Sequence, residues 1–170
     1  MINNKIIVFS ASRLVKKNGL KYLIKAMKLL PENFICFIAG SGKLENKLKK
    51  QILKNNLQKR VFLLGQLERK KVDEWYKITD IFCRPSLSEG FGNVFIEAIS
   101  FGAPCVAPHI QGITDIFNDF PTLMFDCGVK KPKIIAEKII EAAQKLIWKK
   151  SVDNGKIFIG NYWTIDWKTK

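Results

Sequence analysis

The amino-acid sequence predicts an α/β fold: a Rossmann-like, doubly wound parallel sheet of six strands in a single domain. Three observations carry that prediction. Short apolar runs of strand length alternate with longer runs of helical spacing, the order that gives parallel strands joined by right-handed crossovers. The strand runs are apolar throughout, where a half-exposed strand would alternate, so both faces of the sheet are covered. Finally, 170 residues with 47% hydrophobic content supply one core and fall short of two ordinary domains.

The elements follow in order. KIIVFSA (5–11) is the first strand. In GLKYLIKAMKLL (19–30), Leu20, Leu23, Ile24, Met27 and Leu30 recur at helical spacing, and Pro31 closes the helix. FICFIAG (34–40) is the second strand, KLENKLKKQILKNN (43–56) a lysine-rich amphipathic helix and VFLLG (61–65) the third strand. RKKVDEWYKIT (69–79) makes a helix and DIFCRPS (80–86) the fourth strand. A helix starting at Asn93 ends at Gly102, before the fifth strand, PCVAP (104–108). GITDIFND gives a short helix, TLMFD (122–126) the sixth strand, and PKIIAEKIIEAAQKLIWKK (132–150) the last long helix. Residues 1–150 thus form the α/β domain. The tail, 151–170, breaks the pattern. Its Trp163 and Trp167 stand one helical turn apart, which predicts a helical tail that caps this core or docks on a partner domain.

The formal charge of +14 is carried mostly by lysine, since only Arg13, Arg60, Arg69 and Arg84 among 29 basic residues are arginines. Most of this excess reads as a solvated face. Its functional reading is attraction for anions: phosphorylated ligands, anionic lipid headgroups or nucleic acid. Nucleic acid is not expected as a partner, because there is no RNP-like motif, zinc-finger spacing or arginine-rich arm. No run approaches the roughly 20 apolar residues of a membrane span, and the N-terminus lacks the pattern of a secretory signal. Cys36, Cys83, Cys105 and Cys127 form no CxxC pair and lie in or just after apolar runs. They read as buried, reduced thiols in a cytoplasmic protein. His109 is the sole histidine, which excludes a histidine-rich metal site.

In the strand order 3-2-1-4-5-6, strand 1 lies beside strand 4, and ligands bind in the crevice beyond their carboxyl ends. Strand 1 ends at SASR, which brings Arg13 there; strand 4 ends at CRPSLSEGFGN, which brings Glu89 and a glycine turn. Gly90 and Gly92 can take positive φ and let backbone approach a ligand. The helix from Asn93 opens with unpaired N–H groups and a positive dipole end, suited to a phosphate or a sugar hydroxyl. Glu97 lies one turn in, and its carboxylate is expected to tilt back into the crevice and accept from a vicinal diol such as ribose. Competing motifs fail. GSGKLE (40–45) has Glu45 where a dinucleotide fingerprint needs its third glycine, and Leu44 where a P-loop needs Ser or Thr. No GxSxG, HExxH or DxD occurs.

Glu89 and Glu97 match the E-x7-E motif of retaining glycosyltransferases of the two-domain GT-B architecture, the large family four group. SASRLVKKNGLKYLIKAMKLL also resembles that family's arginine loop and first helix. FICFIAGSGKLENKL resembles its second strand and glycine turn. VFLLGQLERKKVDEWYKITDIFCRPSLSEGFGNVFIEAISFGAPCVAP, followed by QGITDIF, resembles its later segments in order. The resemblance spans about residues 5–127.

It implies that 1–150 is the donor-binding half of an enzyme that moves a hexose-type sugar from a nucleotide diphosphate sugar to a glycan or lipid-linked acceptor, with retention, in polysaccharide biosynthesis. Arg13 and Glu89 would be the catalytic residues. Arg13 would contact the diphosphate, while Glu89 with the backbone of Gly90, Phe91 and Gly92 would hold the donor sugar. Backbone near Asn93 and Val94 would meet phosphate, Glu97 would bind the ribose hydroxyls, and Gly65 and Gln66 would lie near the base. No cofactor and no metal are implied; the nucleotide sugar is a substrate.

The family's second diphosphate-binding lysine falls at Asn18 here, with Lys17 as its expected stand-in. An N-terminal acceptor domain, in the same or another chain, is the implied partner, without which the domain would be inactive or weakly active. A peripheral contact with an anionic membrane, at its inner face, fits the basic surface. The alternative reading is a non-catalytic nucleotide-sugar binding or interaction module.

Overall fold

The computed structural model describes residues 5–152, 156–159 and 163–166, with side chains through Lys145. Six strands form one parallel sheet: β1 (Ile6–Ala11), β2 (Phe34–Ala39), β3 (Val61–Gly65), β4 (Ile81–Cys83), β5 (Cys105–Ala107) and β6 (Met124–Asp126). Their order is β3-β2-β1-β4-β5-β6, the doubly wound order expected from the sequence. The crossovers carry α1 (Leu20–Met27), α2 (Glu45–Lys54), α3 (Arg69–Ile78), α4 (Asn93–Ser100) and α5 (Thr114–Asp119), and α6 (Pro132–Val152) follows β6.

The uniformly apolar strands are explained by two cores, one on each face. Successive strand residues point to opposite faces. Val8, Cys36, Ile38 and Cys83 join Leu20, Leu23, Ile24 and Met27 of α1, Leu48 and Ile52 of α2, and Ile135 and Ile139 of α6. Their neighbours Phe9 and Phe82 join Tyr76 of α3, Phe95 and Ile99 of α4, and Ile116 of α5. The second core is aromatic: Phe9 stacks on Trp75 at 5.7 Å and meets Tyr76 edge-on at 5.5 Å. The charge excess lies largely on the surface. Lys47, Lys49, Lys50 and Lys54 on α2 are all exposed, as a solvated basic face requires.

Two expectations need correcting. The fourth strand stops at Cys83, where 80–86 was expected. Pro85 has no N–H to give a ladder, and the Ser86 N–H turns back to the Arg84 carbonyl at 2.9 Å. The tail is not helical throughout. After α6, Lys156–Ile159 (β7) pairs antiparallel with Trp163–Asp166 (β8). KIFI and WTID are rich in β-branched and aromatic residues, which fit a pleated ribbon better than a helix. Trp167 and its docking lie outside the described residues.

All four cysteines are free and buried. Burial pushes every thiol above its ordinary range, Cys127 to about 12. Thiols raised in the folded state stabilise it below the unfolded pKa of about 8.5, and that contribution is lost as pH rises beyond it. The urea midpoint should therefore fall steeply between pH 8 and pH 10, each buried thiol contributing up to about 1.4 kcal/mol per pH unit. Thiol labelling at neutral pH should track global unfolding; rapid labelling of the native protein would contradict the burial.

Candidate functional site

β1 and β4 are paired neighbours, Val8 opposite Ile81 and Phe9 opposite Phe82. The loops leaving their carboxyl ends therefore emerge side by side. They are also bonded to each other. The Leu87 N–H donates to the Lys17 carbonyl at 2.6 Å. The Arg84 Nη2 donates to Asn18 Oδ1 at 3.0 Å, and Asn18 Nδ2 donates to the Arg13 carbonyl at 2.6 Å. Lys16–Asn18 coils into a short 3-10 turn that ends at Gly19, with φ +69°. A Cβ on Gly19 would lie 1.7 Å from the Pro85 carbonyl oxygen, so only glycine permits this approach. The Arg13 loop and the segment leading into the Glu89 turn thus meet at the carboxyl edge of the sheet, as the strand order requires.

The glycine loop after β2 closes the same edge. A Cβ on Gly40 would lie 1.9 Å from the Ser12 carbonyl oxygen, and the Leu14 N–H donates to the Ser41 carbonyl at 2.8 Å. The Ser41 hydroxyl donates to Gln66 Oε1 at 3.2 Å, which links that loop to the end of β3. Arg13, Lys17 and Gln66 are exposed.

Glu89 sits deeper than a loop glutamate would. Its side chain is 5% exposed, and the carboxylate accepts from Arg84 at 2.8 Å and from the Ser86 hydroxyl. Gly90 is exposed and Phe91 projects into solvent, 82% exposed. Gly92 alone of the two turn glycines has positive φ, at +65°, and forms the N-cap of α4. No side chain caps α4, so the first-turn amides at Asn93 and Val94 keep their field for an anion.

Glu97 departs from expectation in its partners. It turns toward α3, where Oε1 accepts from Arg69 Nη1 at 2.7 Å and Oε2 from the Tyr76 hydroxyl at 3.2 Å. Arg69 also pairs with Asp73 at 3.0 Å. Burial pushes the Tyr76 phenol up, and the Glu97 carboxylate adds to that shift. A carboxylate has about four lone-pair sites, so Glu97 can still accept from a diol.

An open cleft of about 420 Å³ is lined by Leu87, Ser88, Glu89, Gly90, Ile110, Gln111 and Gly112. It lies on the β5 side of the glycine turn. Gly112 makes it possible: at φ +93°, a Cβ there would stand 2.4 Å from the carbonyl oxygens of Glu89 and Gly90. Sequence reasoning missed the Gln111–Gly112 wall and also Arg84 as the partner of Glu89. The signal for Arg84 was available, as a charge inside the apolar run IFCRPS. Among the described residues, no cluster of His, Cys, Asp and Glu could hold a metal ion, and no helix is long and apolar enough to cross a membrane.

A doubly wound parallel sheet with an arginine loop and a glycine turn side by side at its carboxyl edge defines a Rossmann-like α/β domain. The family model described as glycosyl transferases group 1 matches residues 2–153, and the chain belongs to that family. An uncharacterized glycosyltransferase of Methanocaldococcus jannaschii is 32% identical over 146 residues, 85% of this chain and 40% of that one. A UDP-Gal:alpha-D-GlcNAc-diphosphoundecaprenol alpha-1,3-galactosyltransferase of Escherichia coli is 34% identical over 115 residues, 64% of this chain and 29% of its own length. Among solved structures, a mutant of S. aureus TarM in complex with fondaparinux, alpha-GlcNAc-glycerol and UDP superposes with a TM-score of 0.66. It is 25% identical, with 86% of this chain and 33% of that one covered. The chain spans 30–40% of the length of the first curated relatives it matches.

Proposed function

We propose that this chain is the donor-binding domain of a retaining glycosyltransferase, which takes a hexose-type sugar from a nucleotide diphosphate sugar and passes it to a glycan or lipid-linked acceptor. The observation that carries the reading is the hydrogen-bonded apposition of loop 12–19 with turn 84–92 at the switch point. Membership of the glycosyltransferase family supports it. So does a relative whose name specifies a UDP-sugar and a lipid diphosphate acceptor. Acceptor binding falls to an N-terminal domain in the same or another chain.

In this reading Arg13 and the free amides at the start of α4 answer the charge that builds on the departing diphosphate. Glu89, fixed by Arg84 and Ser86, presents its remaining lone pairs to the donor sugar at the cleft. Glu97, oriented by Arg69 and Tyr76, accepts from the ribose hydroxyls, and Gln66 lies toward the base. The donor is a substrate, and the reading needs no cofactor.

Hydrogen exchange with and without uridine and guanosine diphosphate sugars tests the site. Protection is expected at residues 89–94 and 12–14. Protection confined to α2 would move the ligand elsewhere. In calorimetry, Glu97→Ala should weaken nucleotide binding by about tenfold, the worth of a charge-assisted diol contact. Ser41→Ala should weaken it less, and equal effects would remove the ribose role from Glu97.

A further inference from the structure

Beneath the glycine turn lies a second cation. Arg84 leaves the end of β4 with only 8% of its surface exposed. One nitrogen, Nη2, reaches both Asn18 Oδ1 at 3.0 Å and Glu89 Oε1 at 2.8 Å. Its Nε is buried with no hydrogen-bond partner. Buried guanidinium groups in proteins are ordinarily saturated, often by a two-pronged carboxylate or phosphate. Here the planar fork meets Glu89 through one nitrogen and keeps donor capacity in reserve.

The surroundings say what that capacity is for. Burial lowers the proton affinity of Arg84, Glu89 raises it, and the charge of Arg13 lowers it further. The charge of Arg13 is thus felt at Arg84, and the two residues are linked through Asn18, which holds the Arg13 backbone carbonyl and the Arg84 guanidinium at once. Lys17, the expected stand-in for a lysine at position 18, has an exposed side chain. Its backbone carbonyl is committed to the turn, through Leu87. Asn18 itself is buried, 2% exposed, and uncharged.

We propose that Arg84 supplies the second positive charge of the diphosphate site, so that the donor's two phosphates are answered by Arg13 and Arg84. The inference rests on the nucleotide-sugar reading. Asn18 is then the link that ties the Arg84 guanidinium to the backbone of the Arg13 loop, and Lys17 belongs to the solvated face.

The test compares affinities of the full chain for UDP against UMP and for GDP against GMP, by calorimetry, so that the second phosphate is isolated from the nucleoside. Arg84→Gln keeps the size and much of the hydrogen bonding but removes the charge. It should cut diphosphate affinity about tenfold and leave monophosphate affinity nearly unchanged, as expected for one lost charge-assisted contact. Relocating the charge, in Asn18→Lys/Arg84→Leu, should restore diphosphate affinity to within about threefold of the unaltered chain. Lys17→Ala should cost less than Arg84→Gln.

A diphosphate preference that survives Arg84→Gln overturns the inference, as does a larger loss in Lys17→Ala. If Arg84→Gln fails to fold, the relocated pair decides: normal melting without restored affinity overturns it. A chain that binds no nucleoside diphosphate at all overturns the proposed function, and this inference with it.

Discussion

Gly19→Ala is expected to separate the two loops that build the crevice. Alanine pays about 1–2 kcal/mol to hold the left-handed backbone that Gly19 adopts at φ +69°. The larger cost is the methyl group, which would lie 1.7 Å from the carbonyl oxygen of Pro85. That neighbour is backbone and cannot rotate away. The 3-10 turn must move, breaking the Leu87–Lys17 hydrogen bond and the reach of Arg84 to Asn18. A total loss of about 3 kcal/mol in a urea melt is expected, together with loss of nucleotide protection at 12–14 and 89–94. Gly90→Ala is the comparison. A Cβ there meets nothing within 4 Å, so stability should change by less than about 0.5 kcal/mol. Equal melting of the two variants would mean that the loops do not touch as described.

The contrast between those two glycines also shows where sequence reasoning has reach. Sheet order was legible because burial on both faces leaves a strong mark: Val8 and Phe9 are adjacent and both fully buried, so no half-exposed strand fits. From that order, the meeting of the Arg13 loop with the Glu89 turn follows almost without further assumption. Which glycine is strained does not follow. Gly90 and Gly92 look alike in EGFG, and only packing decides that Gly92 bends while Gly90 stays open.

Side-chain partners are equally hidden. Glu97 lies one turn into α4, as expected, but its partners come from α3, whose rotation about its own axis is set by Trp75 and Tyr76 against Phe9. The cleft wall at Gln111–Gly112 comes from a loop with no periodicity to read. The tail carried a usable signal that the tryptophan spacing masked. In KIFIGNYWTID, two β-rich runs flank Gly160-Asn161-Tyr162, a hairpin pattern, and Ile159 pairs with Trp163.

Glu89→Ala should be the most costly single change at the site, for reasons of stability before chemistry. It leaves the Arg84 side chain, 10% exposed, without its carboxylate. Removing one member of a buried ion pair typically costs about 3–5 kcal/mol, because the survivor keeps its desolvation penalty and loses its compensation. Replacing both members by apolar residues is often neutral or stabilising. The double variant Arg84→Leu/Glu89→Leu should therefore be more stable than Glu89→Ala. It should fall short of the unaltered protein by about 1–3 kcal/mol, the cost of leaving the buried Asn18 Oδ1 without its donor. It should nonetheless show no nucleotide protection at 89–94 and no sugar transfer when an acceptor domain is supplied. That pattern, a folded domain with an empty site, would assign the pair to ligand binding and not to scaffolding. A double variant as unstable as Glu89→Ala would instead make the buried pair part of the fold itself, and would place the cost in the turn that Ser86 and Glu89 close together.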